Sequence, residues 1–202
     1  FRSGIDRALG PLDPLLAMLA QRPRHVAAVV LQLPWSTSMR HGGLYNATDA
    51  GALRTILSFM ANSRAVAYLD DDNEWLPDHL RLLTQALQGN AWAYSQRLLV
   101  DERTDQDLAV DRWDSVGPDR GRLASIGGFV DPNCLMLDKM ICASLLSRWS
   151  DSGQGRPGLT ADRHLFDALR EAPYGEVSKS TVRYFIRPTN ILHALIRDQQ
   201  QS

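Results

Sequence analysis

The stretch from Ala65 to Leu87 most narrows what this chain can fold into. A short apolar run at 65–69 passes directly into Asp70-Asp71-Asp72, and Asn73-Glu74-Trp75 follows. Leu76, Leu80, Leu83 and Leu87 then recur at helical spacing, with Pro77 suited to a first helical turn. An apolar strand that ends in charge and leads into an amphipathic helix is a common joint of α/β proteins. The alternation continues on both sides. Residues 14–21 read as a helix stopped by Arg22-Pro23, 25–33 as a strand apolar enough to be buried on both faces, and 34–43 as loop. Apolar positions from Ala47 to Met60 have helical period. Further on, strands are expected over 92–100, 109–113 and 177–186, and a loop entering a strand over 127–137. Helices are expected over 139–149, 160–170 and 190–197, and a mobile Gly-rich connection over 151–158. The expected fold is α/β: one domain over 1–202, built on an open, mostly parallel, mixed sheet. Ligands in such sheets bind beyond the carboxyl ends of the strands, where Asp70–Asp72 stand.

Composition excludes several classes. The 202 residues are 44% hydrophobic and 22% charged, which suits a packed globular domain rather than a disordered chain. Twenty-two basic side chains against 23 acidic ones give a net charge of -1, so overall charge offers no reason to expect nucleic acid or an anionic membrane as partner. The longest apolar run, Val26-Ala-Ala-Val-Val-Leu31, is far short of the roughly 20 residues that cross a bilayer. Cys134 and Cys142 make neither a disulfide framework nor a CxxC pair, which favours a reducing, cytoplasmic setting. The chain opens on Phe1-Arg2 without an initiator Met or a signal-peptide pattern, as a fragment or trimmed chain would.

The three aspartates carry the chemistry. Adjacent carboxylates disfavour joint ionisation unless a cation offsets them. In an extended segment Asp70 and Asp72 share a side and offer hard oxygen ligands suited to Mg²⁺ or Mn²⁺. Mg²⁺ commonly takes one or two carboxylates together with substrate phosphates, so two suffice. The plainer account is a solvated turn in which an Asp caps the following helix.

Val66-Ala-Tyr-Leu-Asp-Asp-Asp-Asn-Glu-Trp-Leu-Pro77 resembles the DxD segment of family 2-like, inverting glycosyltransferases of the GT-A fold. Gly43-Leu-Tyr-Asn-Ala-Thr-Asp-Ala-Gly51 is similar to that family's glycine-containing helix entry, with Thr48 and Asp49 where Arg and Asn are usual. Gly158-Leu-Thr-Ala-Asp-Arg-His-Leu-Phe166 resembles its acidic helix entry, with Ala161 at the usual Glu and Asp162 retained. By motif order the resemblance spans roughly residues 8 to 190, although the family's first, nucleoside-holding strand is not found after Phe1. It implies a three-layer α/β/α sandwich and a nucleotide-sugar donor, by default a uridine diphosphate sugar, with transfer to a glycan or small-molecule hydroxyl.

The resemblance assigns roles as expectations. Asp70, Asp71, Asp72 and Arg187 would hold the donor diphosphate, and Asp70 and Asp72 the Mn²⁺ or Mg²⁺. His193 is a candidate third ligand through a neutral imidazole nitrogen, while Arg187 suits a phosphate oxygen. Asp162 would be the base that takes the acceptor proton; its plainer reading is a helix cap. Asp131-Pro-Asn133 lies where the family carries acceptor-facing residues, so Asp131 and Asn133, with Trp75 as a stacking face, are the acceptor-side candidates. His41 and His164 are weaker candidates. Two rivals stand beside the transferase. A haloacid-dehalogenase-type phosphatase also places DxD after a strand, but Asn73-Glu74 replace its usual Thr or Val. A degenerate domain of the same fold would bind a glycan or a protein without catalysis.

Overall fold

The computed structural model describes residues 20–31, 33–38, 42, 43, 50–151 and 161–200. Most of the expected helix over 14–21, together with His41, Thr48, Asp49 and the connection beyond Asp151, lies outside the described residues. The elements in chain order are α1 (Gly51–Met60), β1 (Ala65–Ala67), β2 (Asn73–Trp75), α2 (His79–Ala86), β3 (Trp92–Asp101) and β4 (Asp107–Val110). They continue with β5 (Gly117–Pro118), β6 (Gly128–Phe129), β7 (Leu135–Asp138), α3 (Ala161–Leu169), β8 (Tyr174–Ile186) and α4 (Ile191–Gln200). Short 3₁₀ turns occupy Gly121–Ile126, Pro132–Cys134 and Ala143–Ser150.

The main sheet has the order β1-β7-β3-β8-β2, with β4 also paired to β3. Only β3 and β8 run parallel among the described pairings, from Trp92 opposite Tyr174 to Asp101 opposite Ile186; the others are antiparallel. The sheet is therefore mixed, and the expectation of mostly parallel pairing does not hold for the described strands. The expected strand at 109–113 is the return arm of a hairpin, β4, ending at Val110. The apolar run at 25–33 differs more: its described residues form no strand, and Val26, Val29 and Val30 are exposed. An apolar run becomes a strand only where a neighbour supplies ladder hydrogen bonds, which its composition cannot specify.

Side-chain alternation shows which helices cover which face. Trp92 and Tyr94 of β3, with Leu135 and Leu137 of β7, pack with Leu146, Trp149, Leu165, Phe166 and Leu169 from the 143–150 turn and α3. The intervening Ala93 and Met136 pack instead with Leu83, Ala86 and Leu87 of and after α2. Helical elements thus lie on both faces, as strand period two requires. At the far end of β3, Leu99 and Ile186 join Leu192 and Ile196 of α4. Within α2 the buried positions are His79 and Leu83, while Leu80 of the expected stripe is exposed.

β1 and β2 are the outer strands of this order yet are joined by residues 68–72. Four flat inter-strand steps would span about 19 Å. The short link reaches about 20 Å only when fully extended, and it contains a turn closed by Asn73 N–H donating to the Asp70 carbonyl at 3.3 Å. The sheet curls, and the acidic run crosses its end.

Candidate functional site

Asp70, Asp71 and Asp72 occupy the link between the outer strands, and the turn replaces the extended segment expected from spacing. The crowding is real. Desolvation, followed by repulsion from Asp70 and Asp71, raises the Asp72 carboxyl above its ordinary range, with nearby Arg187 acting in the opposite direction. Asn73 Nδ2 donates to Asp72 Oδ1 at 2.8 Å, and Asn73 Oδ1 accepts from Phe185 N–H at 3.1 Å, tying the turn to the end of β8.

Asp70 is held from two sides. Arg54 of α1 forms an ion pair with Oδ1 and lies 5.0 Å from the Trp149 ring centre. On the other side the Asp70 N–H donates to Asn133 Oδ1 at 2.7 Å, and Asn133 Nδ2 donates to Asp70 Oδ2 at 3.1 Å. Asn133 is fully buried and is fixed in turn by Asp131, whose Oδ1 accepts from its N–H at 2.9 Å and its Nδ2 at 2.7 Å. Asp131 Oδ2 accepts from buried Arg97 at 2.8 Å. Arg97 also pairs with Asp111 at 2.7 Å and lies 3.9 Å over the Tyr184 ring. Asp111 is held below the ordinary carboxylate range: burial alone would raise it, but Arg97 and the N–H groups of Ser115, Asp114 and Trp113 together outweigh that effect. A buried relay therefore runs Asp111–Arg97–Asp131–Asn133–Asp70.

These contacts place the acceptor-side candidates differently from their expected orientation. Asp131 and Asn133 are buried, and each engages its side chain within the relay. Their polar atoms orient the acidic turn rather than face an open surface. Trp75 is half-buried, donates from Nε1 to the Asn133 carbonyl at 2.9 Å, and stacks on His79 with ring centres 4.5 Å apart. His193 lies on α4, where Nε2 is 3.4 Å from the Ile186 carbonyl and 3.9 Å from Asp101 Oδ2, so its contacts lie with β3 and β8. Arg187 is exposed and 3.5 Å from Glu102.

Asp162 stands in the first turn of α3, its Oδ1 accepting from the Arg163 N–H at 2.8 Å. A methyl group placed on Gly51 would approach both the Trp149 carbonyl and the Ala161 methyl, so the starts of α1 and α3 meet there. One helical turn further along α1 is Arg54, the partner of Asp70. Between α1 and β1 lies an open cavity of about 220 Å³, lined by Leu53, Leu57, Val66, Tyr68, Arg54 and Asp70, so the acidic run begins at its edge.

Among the described residues no three His, Cys, Asp or Glu side chains gather into a metal-binding group. Asp70 and Asp72 still offer hard oxygen donors of the kind Mg²⁺ and Mn²⁺ take beside phosphate oxygens. The residues that sequence reasoning missed are Arg97, Asp111, Arg54 and Tyr184. Arg97 left one trace, a cation inside the otherwise largely apolar 92–100 run. The others are ordinary residues whose importance is their company. No protein-family model matches the chain, and a search of curated proteins finds no match.

Proposed function

We propose that this chain is a GT-A-like glycosyltransferase domain that binds a nucleotide-sugar, a uridine diphosphate sugar by default, through Mn²⁺ or Mg²⁺ at Asp70–Asp72. The observation that carries the reading is the crowded acidic turn at the end of the sheet, with Asp72 destabilised as an anion and Asp70 locked by a buried relay. Such a turn favours an incoming divalent cation, because the cation relieves the repulsion that raises the Asp72 carboxyl. When bound, the cation would neutralise charge on the departing diphosphate. The chain's own contributions are orientation of Asp70 by Asn133, a guanidinium at Arg187 for a phosphate oxygen, and a carboxylate at Asp162 to take the acceptor proton.

Isothermal titration of uridine diphosphate into the protein with Mn²⁺ tests the donor site. Binding that requires Mn²⁺ and disappears in Asp72→Ala is expected; no heat from the folded wild type refutes it. A second reading has its own observation: Arg54 already supplies Asp70 with a counter-charge from within the fold. A domain so neutralised would bind a glycan or a protein without metal or turnover, and a glycan array on metal-free protein separates that case.

A further inference from the structure

The ion pair between Arg54 and Asp70 stands where the proposed cation would bind. Both carboxylate oxygens of Asp70 already hold a donor: Arg54 Nη2 donates to Oδ1, and Asn133 Nδ2 donates to Oδ2 at 3.1 Å. At Asp72, Oδ1 accepts from Asn73 Nδ2 at 2.8 Å. Three of the four oxygens on the two candidate ligands are therefore engaged within the fold. Among the described residues no three His, Cys, Asp or Glu side chains gather to make up the number.

The two donors on Asp70 differ in their freedom to leave it. Asn133 is fully buried, and its amide also donates to Asp131 at 2.7 Å within the relay. Arg54 projects from α1 with its side chain 15% exposed, and its guanidinium lies 5.0 Å from the Trp149 ring centre. Arg54 and Asp70 both line the open cavity of about 220 Å³ between α1 and β1, so there is space beside the pair. A guanidinium fits phosphate oxygens as well as carboxylates, and the Trp149 face attracts it whichever partner it holds. Asn133 is the fixed support of Asp70, and Arg54 is the movable counter-charge.

We propose that Arg54 gates this site: it holds Asp70 while the site is empty and turns to the diphosphate when a nucleotide arrives with its divalent cation. The inference rests on the donor site proposed above and adds a selectivity to it. Toward an ion alone Arg54 is a competitor, because it must be displaced from Asp70 and its positive charge remains nearby. Toward an ion accompanied by a diphosphate Arg54 helps, because the guanidinium exchanges a carboxylate for phosphate oxygens. Those oxygens also complete a shell that Asp70 and Asp72 leave short. The site therefore refuses bare Mn²⁺ or Mg²⁺ and takes the metal together with the nucleotide.

Isothermal titration of Mn²⁺, alone and with uridine diphosphate present, tests the gate, with correction for the Mn²⁺ that the nucleotide holds in solution. Arg54→Gln and Arg54→Met both remove the charge, and the first keeps a donor for Asp70. Each should bind Mn²⁺ alone about tenfold more tightly than the wild type, since a repelling charge is gone. The factor by which uridine diphosphate strengthens Mn²⁺ binding should shrink by about tenfold or more, since the phosphate partner is gone too. Circular dichroism and the thermal midpoint confirm folding, and two variants guard against one of them unfolding. A folded variant whose affinity for Mn²⁺ alone is unchanged or lower overturns the gate. So does one whose Mn²⁺ affinity rises equally with and without the nucleotide, because Arg54 would then only repel the cation. Either result leaves the donor site standing, whereas a wild type that binds no uridine diphosphate with Mn²⁺ removes the donor site and the gate together.

Discussion

Replacing Arg97 with Met should remove a large share of this fold's stability. The guanidinium is 1% exposed and pairs with Asp111 at 2.7 Å, Asp131 at 2.8 Å and Asp114 at 3.5 Å. Asp111 is wholly buried and retains three backbone donors after the change, whereas Asp131 keeps only the N–H and amide of Asn133. Removing one partner of a buried ion pair costs about 3–5 kcal/mol, because the remaining charge is stranded away from water. Against the usual total of about 5–15 kcal/mol this is a substantial fraction. Urea unfolding with linear extrapolation measures it; at a slope of about 1–3 kcal/mol/M the midpoint should fall by about 1–5 M. The triple change Arg97→Met/Asp111→Asn/Asp131→Asn should recover much of the loss, since it leaves no uncompensated charge. A loss below about 1 kcal/mol in the single variant would refute the reasoning, because such values belong to solvent-screened pairs. The relay also has a functional reading: if Asp70 is oriented through Asn133, the Arg97 variant should weaken Mn²⁺-dependent uridine diphosphate binding.

Three further outcomes follow from particular contacts. Burial lowers the His79 imidazole from 6.5 to about 4, so the folded state prefers it neutral. As pH falls below 6.5 the unfolded chain takes up a proton that the folded one does not. About 3 kcal/mol of stability is then lost progressively down to about pH 4, and His79→Leu should flatten that slope in denaturant titrations at stepped pH. At Gly51 an added Cβ would overlap the Trp149 carbonyl oxygen and lie 2.8 Å from the Ala161 Cβ. Gly51→Ala should therefore cost about 1–3 kcal/mol through overpacking, outweighing the roughly 1 kcal/mol that alanine gains in a helix; an increased thermal midpoint would contradict this. In a donor-plus-acceptor assay, Asp162→Asn should retain Mn²⁺-dependent uridine diphosphate binding and lose about 10²–10⁴-fold in turnover. Unchanged turnover would remove Asp162 as the base.

The sequence by itself determined the elements whose signal is local. Helical spacing marked the bodies of α1, α2 and α3, and β-rich apolar runs marked β3 and β8 to within a few residues. The acidic triplet also announced itself, because three adjacent carboxylates after an apolar run repel one another unless a cation offsets them. The direction of the β pairings, by contrast, belongs to contacts between strands far apart in sequence, and no residue pattern within one strand states its partner. Hence the antiparallel pairings of β1, β2, β4 and β7 appeared only in the folded sheet. The same holds for the side chains that fix the acidic turn. Asp131 and Asn133 were visible as polar residues in a turn, but only burial beside Arg97 turned them inward, because a desolvated arginine requires carboxylate partners. His193 followed α4 to Asp101 and Ile186 for an equally nonlocal reason. Periodicity and local charge act within a few residues along the chain, whereas register and ion pairing act across folded distances that the linear order does not encode.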